Sequence, residues 1–333
     1  MPNSQKSRLA QILTVILLAC WLSIAALAQN DDNQSSSSNN KQSAVRQQNA
    51  RPVTIPISIR GANSKTSETR GELIEAGNLT IRENGQTRQI LNLRNTADSP
   101  LSFAILIQDD LSSQVNLELQ GMADFIRHLP RGSRVMVAYL RGGNLDVRQK
   151  FTEDLEKAAK SLRVIVGSSS AAPYNPYVGV IEALQRFDNL PAGRRAMLVI
   201  SDGLDTSRGI DSASPAQSLD LDRAILRAQR SSVALYSIYA SSQANARAGS
   251  ILVSYGQGSL NRLTDETGGR AFFQGSETPV SFAPYLRQLK IILSRQFALT
   301  FLSSSSKKDA RRIEVISDNP NVKIDYPKNY VPR

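Results

Sequence analysis

Two adjacent carboxylates and two hydroxyls follow a short apolar segment in the first third of the chain. The segment is Phe103–Gln108, and the polar residues directly after it are Asp109, Asp110, Ser112 and Ser113. A short run of branched apolar residues is typical of a strand that is buried on both faces. Carboxylate and hydroxyl oxygens are ligands that Mg²⁺ and Ca²⁺ accept. The same residue types also favour helix starts, so capping of a helix that begins near Val115 is the competing interpretation.

Two later loops carry further oxygen donors. One is Ser168–Asn175, and the other follows the apolar segment Ala196–Ile200 and contains Asp202, Gly203 and Asp205. In an open α/β sheet, ligands bind outside the carboxyl ends of the strands. We therefore expect these two loops to meet the acidic pair at that edge. Neither loop contains His or Cys, which disfavours a zinc site.

The spacing of apolar residues after Pro100 predicts strands that alternate with helices. The predicted strands are Phe103–Gln108, Val135–Leu140, Asp146–Phe151, Ala196–Ile200, Val233–Tyr239 and Ala271–Phe273. The predicted helices are Val115–Leu129, Glu153–Val164, Pro176–Phe187, Ser218–Arg230, Leu260–Thr267 and Phe282–Leu293. This alternation predicts an α/β fold with a doubly wound, mostly parallel sheet covered by helices on both faces.

The segments on either side of this region are predicted to be β-rich. Val53–Ile59 alternates as a strand does, and Pro56 within it indicates an edge strand. Asn84-Gly85 predicts a hairpin that leads into a strand over Thr87–Leu93. The last forty residues predict three strands, Gln296–Phe301, Arg312–Ser317 and Val322–Tyr326. Pairing of these N- and C-terminal strands would build one small β-rich domain flanking the α/β domain.

The N-terminus predicts export. Lys6 and Arg8 precede an apolar run, Leu9–Ala28, that ends in small residues, as in a signal peptide over residues 1–28. A run of about 20 residues could also be retained as a membrane anchor, which is the alternative. The Asn-, Gln- and Ser-rich residues 29–52 predict a disordered linker. The predicted regions then are a β-region over 53–97, an α/β domain over 98–295 and a C-terminal β-region over 296–333.

The composition limits which binding partners and which reactions we expect. The chain of 333 residues has a formal net charge of +11, which suits anionic envelope polymers or membrane surfaces. Its basic residues are scattered and form no nucleic-acid-reading motif, so nucleic acid is not expected as a partner. His128 is the only His, and Cys20 lies in the predicted signal peptide. Because no activated nucleophile or paired base is visible, we expect no enzymatic activity.

With these features the chain resembles von Willebrand factor A (VWFA) domains, and more narrowly the exported bacterial VWFA-related proteins. The resemblance spans about residues 53–333 and is strongest from Phe103 to Asp205. The flanking segments Leu79–Gly85 and Lys328–Pro332 resemble the bacterial subgroup as well. The resemblance implies the doubly wound sheet, named here a VWFA-like domain, and a metal-ion-dependent adhesion site at its loop edge.

In the family, that site consists of Asp-x-Ser-x-Ser, a Thr in a middle loop and an Asp in an Asp-Gly turn. Asp202-Gly203 matches the last element, whereas Gln114 stands where the second Ser of a motif starting at Asp110 belongs. The middle loop lacks a Thr, so Ser170 or Asn175 would substitute. The resemblance thus implies a degenerate site for Mg²⁺ or another divalent cation, with ligands from Asp109, Asp110, Ser112, Ser113, Asn175 and Asp202. Water can replace a missing ligand, because Mg²⁺ keeps several waters.

The expected function is an exported binding or adhesion module, located in the periplasm, the cell envelope or the secreted fraction. Its partner would be another protein or an envelope polymer, and it would contact a membrane only through a retained N-terminal anchor. The alternative is a structural component of envelope assembly with a non-functional metal site. A phospho-acceptor domain also has an acidic pair after its first strand, but it needs a cytoplasmic phosphodonor, which predicted export argues against.

Overall fold

The computed structural model describes residues 50–61, 78–96, 99–191, 193–243, 249–273, 275, 279–304 and 309–331. The predicted signal peptide and nearly all of the predicted linker lie outside these residues. Pro52–Ser303 and Lys307–Arg333 belong to one compact unit, which contains every contact discussed below. The boundaries at residues 97/98 and 295/296 stay predictions.

The described strands follow the predicted pattern with small shifts. They are β1 (Arg51–Gly61), β2 (Leu79–Glu83), β3 (Gln86–Arg88), β4 (Ile90–Asn95), β5 (Leu101–Gln108), β6 (Arg134–Arg141), β7 (Asn144–Thr152), β8 (Arg194–Ser201), β9 (Ala234–Tyr239), β10 (Ala271–Phe272), β11 (Gln296–Ser303), β12 (Arg311–Ser317), β13 (Val322–Asp325) and β14 (Asn329–Tyr330). The predicted strand Thr87–Leu93 is divided between β3 and β4, which belong to different sheets.

The described α-helices are α1 (Leu119–Arg127), α2 (Leu155–Lys160), α3 (Pro176–Gln185), α4 (Leu219–Ser231), α5 (Ser250–Asp265) and α6 (Ala283–Ser294). Short 3₁₀ helices cover Ser113–Glu118, Ser169–Ala171 and Ile210–Ser212. The predicted helix over Val115–Leu129 therefore starts as a 3₁₀ turn, and α5 begins ten residues before its predicted start at Leu260. Among the described helices, none is both long enough and apolar enough to cross a membrane.

The central sheet has six strands in the order β10-β9-β8-β5-β6-β7. All neighbours run parallel except β7, which forms an antiparallel hairpin with β6. Side chains of β5 alternate, so Phe103 and Ile105 pack with α1, α2 and α6, whereas Ala104 and Leu106 pack with α3 and α4. The predicted fold class, a mostly parallel doubly wound sheet, is confirmed by this strand order.

Strands from both ends of the chain pair in two antiparallel sheets. Their orders are β13-β1-β11-β4 and β14-β12-β2-β3, and a separate apolar core that includes Ile57, Ile81 and Phe301 lies with them. The predicted flanking β-rich region built from N- and C-terminal strands is thereby confirmed. The edge position predicted from Pro56 is wrong, because β1 lies between β13 and β11. Proline is tolerated there since the pairing of β1 with β13 covers only Ser58–Gly61.

The hairpin predicted at Asn84-Gly85 is present between β2 and β3. Asn84 has a φ of 48° and Gly85 a φ of 79°, both in the left-handed region. Two consecutive positive φ values characterise the type I′ turn, whose twist matches that of the flanking strands. Local sequence therefore determined this turn.

Candidate functional site

The predicted loops meet at the carboxyl edge of the central sheet. The backbone N–H of Gly167 donates to the carbonyl of Asp109 at 3.2 Å, and that of Thr206 donates to the carbonyl of Tyr174 at 2.7 Å. A fourth loop also lies here, because the N–H of Gln243, after β9, donates to the carbonyl of Asp110 at 2.7 Å. The sequence did not indicate this fourth loop.

Gln108, the last residue of β5, connects the loops after β5 and β8. Its Nε2 donates to Asp110 Oδ1 at 2.8 Å. Its Oε1 accepts from Ser201 Oγ at 2.6 Å and from the backbone N–H of Asp202 at 3.3 Å. Asp110 and Asp202 are both buried, with 0% and 2% of their surface exposed. One neutral amide therefore contacts both acidic residues. The only sequence feature that could have indicated this role of Gln108 is that a polar residue ends an apolar strand.

Three contacts hold the turn that carries Asp202, one within the turn and two from neighbouring helices. Asp202 Oδ1 accepts from the backbone N–H of Leu204 at 3.1 Å. The hydroxyl of Tyr177 donates to the carbonyl of Gly203 at 2.7 Å, and burial raises the pKa of this hydroxyl so that it stays a donor. Gly256 of α5 packs so closely that a Cβ there would lie 2.0 Å from the Asp202 carbonyl oxygen. The turn is therefore fixed in place by α3 and α5.

Asp109 contacts two arginines. Arg163 Nη1 lies 2.8 Å from Asp109 Oδ1, Arg163 Nη2 lies 3.0 Å from Oδ2, and Arg141 Nη1 lies 3.4 Å from Oδ2. The guanidinium of Arg163 stacks 4.1 Å from the centre of the Tyr139 ring. Hydrogen bonding to Asp109 raises the pKa of Arg163, which keeps the guanidinium charged. The side chain of Asp109 is thus directed at two arginines of the same chain.

The remaining predicted ligands have local contacts. Ser112 Oγ accepts from the backbone N–H of Gln114 at 3.5 Å and caps the 3₁₀ helix, of which Ser113 is the exposed first residue. Asn175 Oδ1 accepts from the N–H of Tyr177 at 3.1 Å and caps α3, while its Nδ2 donates to Asp220 Oδ2 at 2.8 Å. Capping is therefore present at this edge, but Ser112 and Asn175 provide it rather than the acidic pair.

Asp205, the other carboxylate of the loop after β8, also has a local role. Its Oδ2 accepts from Ser218 Oγ at 2.6 Å, and its Oδ1 accepts from Ser207 Oγ at 2.6 Å. Ser218 in turn caps α4 through the N–H of Leu221 at 3.2 Å. These bonds attach the loop to the start of α4.

The chemistry of the donors suits a hydrated divalent cation better than one enclosed by protein. Within the described parts of the chain, no three His, Cys, Asp or Glu side chains gather as a ligand group. The side chain of Gln108 contacts the carboxylate of Asp110 and the backbone N–H of Asp202, and Ser112, two residues after Asp110, is half-buried. Mg²⁺ typically binds through one or two carboxylates and keeps several waters. The two acidic residues and the serine fit that pattern, whereas the side chains of Asp109 and Asn175 are engaged with Arg163 and Asp220.

No known protein family matches this chain by sequence, and no curated protein does so. Some solved structures are similar to part of it. BatB from Bacteroides thetaiotaomicron is 10% identical, with a TM-score of 0.40 over 58% of this chain and 97% of that one. The SpRpn10 VWA domain is 12% identical, with a TM-score of 0.39 over 58% and 96%.

The PilB minor pilin from Streptococcus sanguinis is 11% identical, with a TM-score of 0.38 over 62% of this chain and 64% of that one. One of these three structures is itself a VWA domain, the family that the sequence motifs resemble. At such identities and scores the likeness carries no functional argument. The fold assignment therefore rests on the strand order, strand directions and helix layers described above.

Proposed function

We propose that this chain is an exported VWFA-like binding module whose carboxyl sheet edge holds a partner through a divalent cation. The observation that carries the proposal is that two buried acidic residues both contact the side chain of Gln108, Asp110 through its carboxylate and Asp202 through its backbone N–H. Asp110, Ser112 and Asp202 would hold Mg²⁺ or a similar ion together with water. A carboxylate of the partner would complete the coordination.

The electrostatics of the edge support a cation there. Two buried carboxylates in one region repel each other even when each is hydrogen-bonded. A divalent cation would reduce this repulsion between Asp110 and Asp202. The guanidinium of Arg163 already compensates the charge of Asp109, so Asp109 is not proposed as a ligand of the ion.

The partner is proposed from charge and from the N-terminal sequence. A basic start followed by an apolar run supports export, and the net charge of +11 favours an anionic protein surface or an anionic envelope polymer. Nucleic acid is not proposed, because the basic residues form no reading motif. No catalytic role is proposed either, since the edge provides no activated nucleophile.

Calorimetry with Mn²⁺ and Mg²⁺ tests the metal site directly. We expect the wild-type chain to bind Mn²⁺, and the double variant Asp110→Asn/Asp202→Asn to bind it at least about tenfold more weakly. The matched control is Asp124→Asn/Asp188→Asn, which removes the same charge from exposed positions and should leave affinity unchanged. The proposal would be contradicted if neither ion gives heat with the wild-type chain at millimolar concentration.

A second candidate is a structural component of envelope assembly with a non-functional metal site. Two observations favour it, namely the Asp109–Arg163 pair and the Asn175–Asp220 hydrogen bond, which engage two of the implied ligands. In that case the flanking β-sheets would carry the contacts. The same calorimetry separates the two candidates, since this one requires that neither Mn²⁺ nor Mg²⁺ give heat with the wild-type chain at millimolar concentration.

A further inference from the structure

A large cleft lies at the opposite edge of the central sheet, where the parallel strands begin. Its volume is about 810 Å³, and its lining includes the first residues of β5, β6 and β8 together with parts of β1 and β11. Sites for small organic ligands typically have volumes of roughly 300–1,000 Å³. The cleft therefore has room for such a ligand, well away from the candidate metal site at the carboxyl edge.

The charged residues of this cleft are mostly basic. Among the described lining residues, one is acidic, Glu153, and five are arginines, namely Arg94, Arg134, Arg194, Arg195 and Arg230. Glu153 Oε1 lies 2.6 Å from Arg134 Nη2, so this carboxylate pairs with one of the five. Ala97, Asp98 and Ala192 adjoin the lining in sequence but lie outside the described residues. The described lining as a whole has an excess of positive charge, which favours an anionic ligand.

Two of the arginines are buried and positioned by the backbone. Arg195 Nη1 donates to the carbonyl of Ser231 at 3.0 Å, and its Nη2 donates to that of Leu190 at 2.7 Å. Arg194 Nε donates to Gln296 Oε1 at 3.0 Å, and its Nη1 donates to the carbonyl of Ser99 at 3.2 Å. These hydrogen bonds orient the two guanidiniums. Charges fixed in a poorly solvated floor act on a ligand more strongly than the same charges in water.

The uncharged part of the lining is mostly apolar, although it also includes Thr54, Thr96, Ser99, Ser102, Ser231, Ser232 and Gln296. Val53 and Ile55 of β1, Phe297 of β11, Leu101 of β5 and Val331 all line it, together with four prolines, Pro52, Pro56, Pro100 and Pro191. Such walls offer little to a fully hydrated ion but would pack against hydrocarbon. Cationic and apolar groups in the same cleft predict a ligand that has both an anionic group and an apolar body.

We propose that this cleft binds a small anionic amphiphile, a molecule with one carboxylate or phosphate head and a short alkyl body. Arginine recognises both head groups, because its planar guanidinium donates two parallel hydrogen bonds to carboxylate or phosphate oxygens. The exposed Arg94 and Arg230 contact the head, and the alkyl body packs along β1 and β11. This site is independent of the proposed metal-dependent function.

The test is titration calorimetry of the whole chain with four probes: decyl phosphate, decanoate, decyl maltoside and inorganic phosphate. Below their micelle concentrations, we expect decyl phosphate, decanoate or both to bind at least about tenfold more tightly than either of the other two. The two anionic probes distinguish a phosphate head from a carboxylate head. Equal binding of decyl maltoside would mean that the cleft recognises only hydrocarbon, and equal binding of inorganic phosphate would mean a simple anion site. Either result would overturn the proposal. It would also be overturned if neither anionic amphiphile binds.

Variants then locate the site. Arg94→Gln/Arg230→Gln should weaken the anionic amphiphile at least about tenfold. The control Arg82→Gln/Arg287→Gln removes the same charge from exposed positions outside the lining. It should leave the affinity for the anionic amphiphile unchanged. Equal affinities in the two double variants would reject the cleft as the binding site, provided that both retain the wild-type circular dichroism spectrum and unfolding midpoint.

Discussion

Arg163 and Asp109 form a two-point ion pair at the carboxyl edge of the central sheet, with oxygen–nitrogen distances of 2.8 and 3.0 Å. The Asp109 side chain is completely buried, and 23% of the Arg163 side chain is exposed. The pair connects the loop after β5 to the segment after α2, and the ring of Tyr139 supports the guanidinium. An arginine of the chain thus stabilises one member of the acidic pair, while Asp110 faces Gln108.

Loss of this arginine is expected to be costly. Asp109 contacts two arginines, and in Arg163→Ala only Arg141, at 3.4 Å, would remain beside its buried carboxylate. Removing one partner of a buried pair typically lowers the free energy of unfolding by about 3 kcal/mol, which urea denaturation would measure. Arg127→Ala is the control, because its pairs with Asp124 and Glu156 are solvent-exposed and should contribute much less. Similar losses in the two variants would contradict the structural role assigned to Arg163.

Gln108→Leu tests the connection between the two loops. Leucine has a similar size but cannot donate to Asp110 or accept from Ser201 and the N–H of Asp202. Buried groups that lose such partners typically cost about 2 kcal/mol of unfolding free energy, and Mn²⁺ affinity should fall as well. Gln120→Leu, at an exposed position of α1, is expected to change neither quantity. A Gln108 variant with wild-type stability and wild-type Mn²⁺ titration would show that the amide does not couple the loops.

Gly256→Ala tests the close approach of α5 to the Asp202 turn. Alanine usually stabilises a helix interior by about 1 kcal/mol relative to glycine. Here the added methyl would lie 2.0 Å from the Asp202 carbonyl oxygen, so the helix or the turn has to move. We expect a loss of at least about 2 kcal/mol in thermal or urea unfolding, the opposite sign to the usual substitution. Gly249→Ala, which has no atom within 4 Å of its added carbon, serves as the control, and a stabilised Gly256→Ala would refute the close approach.

Glu83 predicts an acid-sensitive contribution to stability. Burial by itself raises the pKa of this carboxyl, but hydrogen bonds from Ser303 and Tyr330 and the charge of Arg88 outweigh burial and lower it. A lowered pKa means that the folded state favours the carboxylate, so the stabilisation is present above the ordinary carboxyl pKa. It is lost as the pH falls through the lowered value.

Urea unfolding over a pH series measures this contribution. From about pH 5 downward, the wild type should lose more unfolding free energy than Glu83→Gln, which cannot titrate at this position. Glu314→Gln, on the adjacent strand β12, should follow the wild-type profile. A Glu83→Gln profile parallel to the wild type throughout this range would show that the carboxyl has the same pKa in the folded and unfolded chain.

Local patterns in the sequence determined the fold class and the sheet edge at which the loops meet. The apolar run Phe103–Gln108 and the run Ala196–Ile200 predicted buried strands, because such short branched segments are typical of a covered sheet. The structure shows that these two strands are neighbours. The polar residues after each strand predicted the edge at which the loops meet. Helix α5 was predicted only in part, since Ser250–Ser259 contains Gly256, Gly258 and several serines. Packing against the Asp202 turn outweighs these weak helix propensities.

The sequence alone could not decide which member of the acidic pair faces which neighbour. Asp109 and Asp110 have the same chemistry and adjacent positions, so both were predicted as ligands. Successive side chains at the end of a strand point to opposite faces, so Asp110 lies on the side of Gln108 and Asp109 on the side of Tyr139 and Arg163. Arg163 is 54 residues further along the chain. Only the tertiary structure brings its guanidinium to Asp109, because that contact depends on how α2 and the segment after it pack across the sheet rather than on any spacing within the motif.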